Sequence, residues 1–387
     1  MRFGVIASVL AVGCGADGRG DDAGGGGSTL TIRAPNAPAA MIAYRDGIGA
    51  WKTARGADAP FEVPIASGSY TVAFVCATQS SFPQGVAYQM TLAELSMLEH
   101  DGLCSESTIT ISGALTGYTT QSIDLAFGAL ETGAVSWPGS RYSLGVVSGT
   151  HDLIAARGSV LRDRMITVRD LAAVASINQA FDFEGPNAIA MEFPTTPGWP
   201  GTTYTRLYTQ RGTGIELGLM EGAIVAPPVA TMRPGDLLSV TINGRGNGIV
   251  TSRRFISHER PLALALPAPL QPAATATARS AATWTIVGAT WQPQPNAVLY
   301  ELFVDGGSWN VYVSPAVFEQ QLGAEIPDLS QIPGWETYGL PSLQFHSWSM
   351  LALSGASRED HLRTIPVRAA QLDFVGSSGS IRVSTSN

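Results

Sequence analysis

"SVTINGRGNGIVTSRRF", residues 239–255, carries apolar and polar side chains in alternation into and out of a glycine-rich centre. A period of two marks a strand with one face buried, and Asn243-Gly244 offer the positive φ angles that a tight reversal needs. The stretch therefore predicts an antiparallel hairpin. "TRLYTQRGTGIELG", residues 205–218, repeats the pattern around Gly212 and Gly214. Similar alternation recurs at 109–111, 122–125, 152–155, 165–168, 177–183 and 204–208, separated by Gly, Pro, Asn and Asp. Strands at this spacing predict sandwiches or barrels rather than alternating βαβ units. The expectation is an all-β chain: tandem antiparallel β-sandwich domains with one or two short helices.

With 387 residues, 45% of them apolar and 14% charged, the chain can bury sizeable cores and is long enough for two or three domains. Its 43 glycines and 24 prolines favour short strands joined by turns. The formal net charge is −8, the only lysine is Lys52, and Arg253-Arg254 is the only adjacent basic pair. A stripe of cations to follow a phosphate backbone is missing, which argues against nucleic acid as a partner.

The first residues speak to location. Arg2 precedes a nine-residue apolar run, 5–13, and Cys14 follows. Nine residues cannot cross a bilayer core, which takes about 20 in a helix, and no other segment is long enough. "LAVGC", residues 10–14, resembles the lipobox of bacterial lipoproteins, with Ala11 where that family prefers leucine. The resemblance implies a signal peptide over 1–13, lipidation of Cys14 and membrane lipid as a partner through the acyl anchor. Gly15 after the cysteine implies the outer membrane. Residues 14–28, rich in Gly and Asp, form a solvated tether. The other reading is an ordinary exported leader cut nearby with Cys14 lost. Arg19-Gly20-Asp21 inside this spacer is a chance triplet.

Cys76 and Cys104 are the remaining thiols. In an exported chain they are expected to be joined, the alternative being two buried free thiols. Thr91 and Glu94 stand as a capping box and predict a helix over 91–100. "YRDGIGAWK" (44–52) followed by "FEVPIASGSYTVAFVC" (61–76) resembles the prealbumin-like modules of the carboxypeptidase regulatory kind. That implies a small β-sandwich over 29–125 and nothing about activity.

A second sandwich or barrel-like domain is expected over 126–262, then a Pro/Ala-rich linker over 263–278. The last domain, 279–387, has an early tryptophan strand (283–286), a tyrosine strand (299–304) and a later alternating strand (343–353). Together they resemble a fibronectin type III-like sandwich. Ser314 as cap, Pro315 at the first helical position and Gly323 past the end predict one short helix there.

Motifs for chemistry are sparse. The histidines at 100, 151, 258, 346 and 361 fall in five separate segments, without the spacing of zinc ligands, a nucleophile elbow or a phosphate loop. Neither a metal nor a cofactor is therefore expected. His258-Glu259 and Glu99-His100-Asp101 read as a strand end and a helix end. Five of the eight tryptophans lie between 284 and 348. Trp284 and Trp348 fall in apolar alternation suited to a core. Trp309 and Trp335, flanked by small and polar residues, are expected to be exposed and, with Tyr338, to form a ligand or partner face. The functional expectation is a non-catalytic cell-envelope lipoprotein serving adhesion, envelope architecture or ligand binding, with a glycan or an envelope protein as partner. The alternative is an exported carbohydrate-binding or carbohydrate-active hydrolase, with two carboxylates drawn from Glu301, Asp305 and Glu336 about 5–10 Å apart in a cleft.

Overall fold

The structure is a computed structural model. It describes residues 28–35, 37–76, 84–100, 104, 108–117, 123–128, 130–135, 141–158, 162–184, 190–192, 202–221, 224–227, 232–246, 249–257, 274–281, 284–304, 309–335, 338, 345–362 and 371–382. Cys14, Asp305, Glu336 and the His258-Glu259 pair lie outside these, as do the leader and all of the tether but Ser28.

The chain is all-β, and its described helices are short: Pro315–Gln321, Arg358–Leu362 and a 3-10 turn at Gly56–Asp58. One twelve-stranded sheet organises it. In spatial order its strands are Gly214–Glu221, Thr202–Tyr208, Leu237–Gly246, Ile249–Ser257, Gln371–Arg382, Phe345–Ser354, Leu299–Val304, Trp309–Val313, Gln84–Thr91, Ser69–Cys76, Met41–Asp46 and Lys52–Arg55. Neighbours are antiparallel except Trp309–Val313, which runs parallel to Gln84–Thr91. This sheet takes strands from all three stretches expected as separate domains, so the last stretch lies between the first two in the hydrogen-bonded order.

Layers on both faces explain the composition of the central strands. On Ser69–Cys76, the alternating Tyr70, Val72 and Phe74 pack into a core shared with Leu30, Ile32, Val63 and Leu98 of the small sheet Phe61–Ile65, Ser28–Arg33, Met97–Glu99. Ala73 and Val75 point the other way, into a core shared with Val287 and Ala289 of the sheet Thr275–Ala281, Trp284–Thr290, Gly323–Glu325. A strand buried on both faces must be a continuous apolar run, as this one is. The disulfide Cys76–Cys104 forms at the end of this strand, and Cys104 lies in the first of these cores. Closing a loop between residues 28 apart stabilises the fold by about 3–4 kcal/mol.

A sandwich fills the middle of the chain. The sheet Leu130–Val135, Ile123–Phe127, Gly149–Arg157, Arg164–Ala173 faces the sheet Arg141–Val147, Thr108–Thr116, Ile177–Asn178 across Leu125, Leu153, Ile111, Leu144 and Phe181. Its outer side, through Ala126, Ile154 and Ala156, packs on Leu207, Ile215, Val240 and Ile242 of the large sheet. The same junction buries an ion cluster. Arg169 binds Asp236 at 2.7 Å and Asp152 at 3.1 Å, and Asp236 also accepts the Gln210 and Arg233 backbone N–H groups.

Several local expectations are corrected. Residues 91–100 do not form a helix: Thr91 Oγ1 does bond Glu94 Oε2 at 2.7 Å, but only one turn closes before the strand Met97–Glu99 pairs with Ser28–Arg33. His100 therefore ends no helix; it stacks on Phe74. Asn243 and Gly244 lie within a strand, because pairing with Ile249–Ser257 continues past them to Gly246 opposite Ile249. The Gly212 turn is as expected, at φ +81°. The helix at Pro315 follows Ser314 as expected, but Leu322 takes the left-handed position (φ +51°). Gly323 instead starts a strand whose close approach leaves no room for a side chain, since a Cβ there would lie 2.5 Å from the Ala289 carbonyl.

Candidate functional site

The aromatic face expected from Trp309, Trp335 and Tyr338 is not on the surface. Trp309 is 0% and Trp335 1% exposed, and Tyr338 is half-buried. Trp309 is an inward residue of its strand, in one core with Val311, Val313 and Trp348, and its Nε1–H donates to the Tyr338 carbonyl at 2.9 Å. Asn310, the described polar residue beside it, belongs to the alternate face of the strand, which is why that flank misled. Trp348 is in the core as expected.

Of the three carboxylates expected as an acid/base set, Glu301 is described. It sits on Leu299–Val304 opposite Tyr312 and Leu351. Burial pushes its carboxyl above the ordinary range, while the Tyr312 hydroxyl and the Arg254 charge pull it back. Among the described residues no group of three or more His, Cys, Asp or Glu side chains gathers as a metal would require.

A different place gathers polar groups. A cleft of about 500 Å³ opens between the large sheet, the sheet Thr275–Ala281, Trp284–Thr290, Gly323–Glu325, and the helix Pro315–Gln321. On the large sheet, register puts Arg45 opposite Thr71 and Thr71 opposite Gln89, so the three side chains form one cross-strand row where the apolar run of Ala43, Ala73 and Ala87 ends. On the smaller sheet, Thr277, Gly288 and Glu325 form a second row. Arg279 closes on Glu325 at 2.5 Å, an ion pair about half exposed. Ile48, 99% exposed at the turn after Met41–Asp46, stands at the rim.

Most of these groups satisfy one another. Gln89 Nε2 donates to the Glu325 carbonyl at 2.9 Å. Asp328 accepts both the Ser330 backbone N–H at 3.1 Å and its hydroxyl at 2.6 Å. Two groups do not. Gln89, only 7% exposed, keeps Oε1 buried without a donor. Arg45 lies with its guanidinium carbon 4.5 Å from the Trp51 ring centre, its Nε buried without an acceptor. No described carboxylate stands within ion-pair distance of it. Burial lowers the Arg45 guanidinium from its ordinary value, and the charge of Glu325 opposes that. Sequence reasoning passed over Arg45, Gln89, Arg279 and Glu325, because they come from four strands far apart in the chain. The one local signal was Arg45 within the quoted 44–52 stretch.

The cleft is not explained by relatives. No family model matches the chain, and no curated protein matches it. Among solved structures, fervidolysin from Fervidobacterium pennivorans, a keratinolytic enzyme related to subtilisin, shares 9% identity over 42% of this chain and 30% of its own, with a TM-score of 0.14. A likeness of that size carries no argument about fold or activity.

Proposed function

We propose that the protein is a non-catalytic lipoprotein of the cell envelope, held on a tether by an acylated Cys14 and binding an envelope or extracellular ligand in the Arg45–Glu325 cleft. The observation that carries this reading is the Cys76–Cys104 disulfide inside a core. Such a bond persists in an oxidising compartment, in agreement with a leader that ends at a cysteine. The chemistry of the cleft supports binding over catalysis. Glu325 is engaged by Arg279 and Asp328 by Ser330, so neither carboxylate is poised over an open space as an acid or base must be.

Mass spectrometry of the chain recovered from its producing cell tests the reading. The expected result is a mature N-terminus at Cys14 bearing acyl chains, with Cys76 and Cys104 resistant to alkylation until reduced. Recovery of the chain still carrying Met1, with alkylatable thiols, would overturn it.

A further inference from the structure

The Arg45–Thr71–Gln89 row asks for a particular ligand. Its two unmet groups are complementary: Arg45 offers a planar fork of donors with no carboxylate of the described residues within ion-pair distance, and Gln89 Oε1 offers an acceptor with no donor among them. They stand on the first and third strands of a row, so their backbones are about 10 Å apart. That span exceeds a lone carboxylic acid and matches one to two sugar rings. The groups between and opposite them, Thr71, Thr277 and Gln320, are neutral hydroxyls and amides that pair with ring hydroxyls. The cleft's volume falls within the range of small-molecule sites, about 300–1,000 Å³. Glu325 does not repel an anion strongly, because Arg279 already holds it.

Building on the reading of the cleft as a binding site, we infer that it takes a carboxylated saccharide: the carboxylate lies on the Arg45 guanidinium, held bidentately, and a ring hydroxyl donates to Gln89 Oε1. Arginine suits this role because its fork matches a carboxylate, and because stacking on Trp51 orients it before the ligand arrives. Gly288 keeps the opposite wall low. A Cβ there would meet Glu325 Cβ and the Ala324 carbonyl at 3.4 Å, so a larger side chain fits the strand but projects into the cleft.

Calorimetry with di-galacturonate, galactobiose and tri-glutamate on the isolated protein tests the inference. Di-galacturonate is expected to saturate one site, with galactobiose at least about tenfold weaker and added NaCl reducing the affinity. Arg45→Ala is expected to weaken di-galacturonate binding about ten- to a hundredfold, the range for hydrogen bonds to a charged group. Gly288→Val is expected to abolish binding with an unchanged circular dichroism spectrum, which covers the case in which Arg45→Ala loosens the Trp51 turn. No saturation by di-galacturonate, equal binding of galactobiose, tighter binding of tri-glutamate, or full binding by both variants would overturn it. An acylated Cys14 without saccharide binding sinks this inference alone, while saccharide binding by a chain with an unprocessed N-terminus sinks the envelope reading and leaves this one.

Discussion

Gly85 lies under the indole of Trp309: a Cβ on Gly85 would fall 2.5 Å from both Cδ2 and Cζ2 of that ring. The two residues face each other across the parallel pair that joins Gln84–Thr91 to Trp309–Val313, so the absence of a side chain on one strand makes the pocket for the largest side chain on the other. Strand glycines are tolerated where another group must approach closely. Gly85→Ala should overpack this site and destabilise the protein by about 1–3 kcal/mol. Trp309→Ala should cost about 3–5 kcal/mol. Chemical denaturation of both and of the double variant checks the pairing: with the indole gone, the extra methyl at 85 should cost little.

The buried ion cluster should be far more sensitive than the exposed pairs around it. Asp236 is fully buried and satisfies Arg169 together with two backbone N–H groups. Asp236→Ala leaves that guanidinium with Asp152 alone and should cost about 3–5 kcal/mol. Arg211→Ala removes an exposed pair with Asp170 and should cost less than about 1 kcal/mol. Urea midpoints measured side by side give the comparison, and similar values for the two variants would refute the assignment of the cluster as a junction holding the middle sandwich to the large sheet.

Acid should loosen the contact between the first and last parts of the chain. Glu94 Oε1 accepts the Ala316 backbone N–H at 3.2 Å at the start of the helix Pro315–Gln321 and lies 3.4 Å from Arg358 Nη2. Burial alone would raise its carboxyl, but the bonds from Thr91 and Ala316 and the Arg358 charge outweigh burial and hold it below the ordinary 4.5. A depressed carboxylate contributes its stability in full above that ordinary value and loses it as pH falls through the lower folded value. Melting temperatures of the native protein should therefore drop on acidification below about pH 4.5. Glu94→Gln should melt lower at pH 7 and show a shallower acid limb; an identical acid limb in the variant would count against this role for Glu94.

What could be read from the sequence was set by period and by turns. Alternation at 238–242 and 204–208 marks strands because each has one face on a core, and Gly212 marks a reversal because its φ is positive. Pro315 marks a helix start because its ring presets the backbone. The Cys76–Cys104 bond followed from count and compartment. Strand order was illegible, since every antiparallel neighbour offers the same backbone groups and the choice of partner is made by packing between residues far apart. Residues 91–100 misled because the Thr91–Glu94 contact that opens a helix also forms in a single turn. The cleft was hidden for a related reason: Arg45 and Glu325 stand on different sheets, and only the packing of those sheets brings both to one cleft.

The parallel seam between Gln84–Thr91 and Trp309–Val313, and the placement of Gln371–Arg382 between Ile249–Ser257 and Phe345–Ser354, bear on how the molecule is made. A chain delivered N-terminus first exposes the edge of Gln84–Thr91 long before its neighbour Trp309–Val313 exists, and Ile249–Ser257 waits for the distant Gln371–Arg382. Such long waits make folding slow and leave apolar edges open to other chains. Emergence of Gln371–Arg382, rather than of any earlier portion, is thus the event that closes the sheet, and a chain cut before Gln371 should give aggregation-prone material in place of a smaller folded protein.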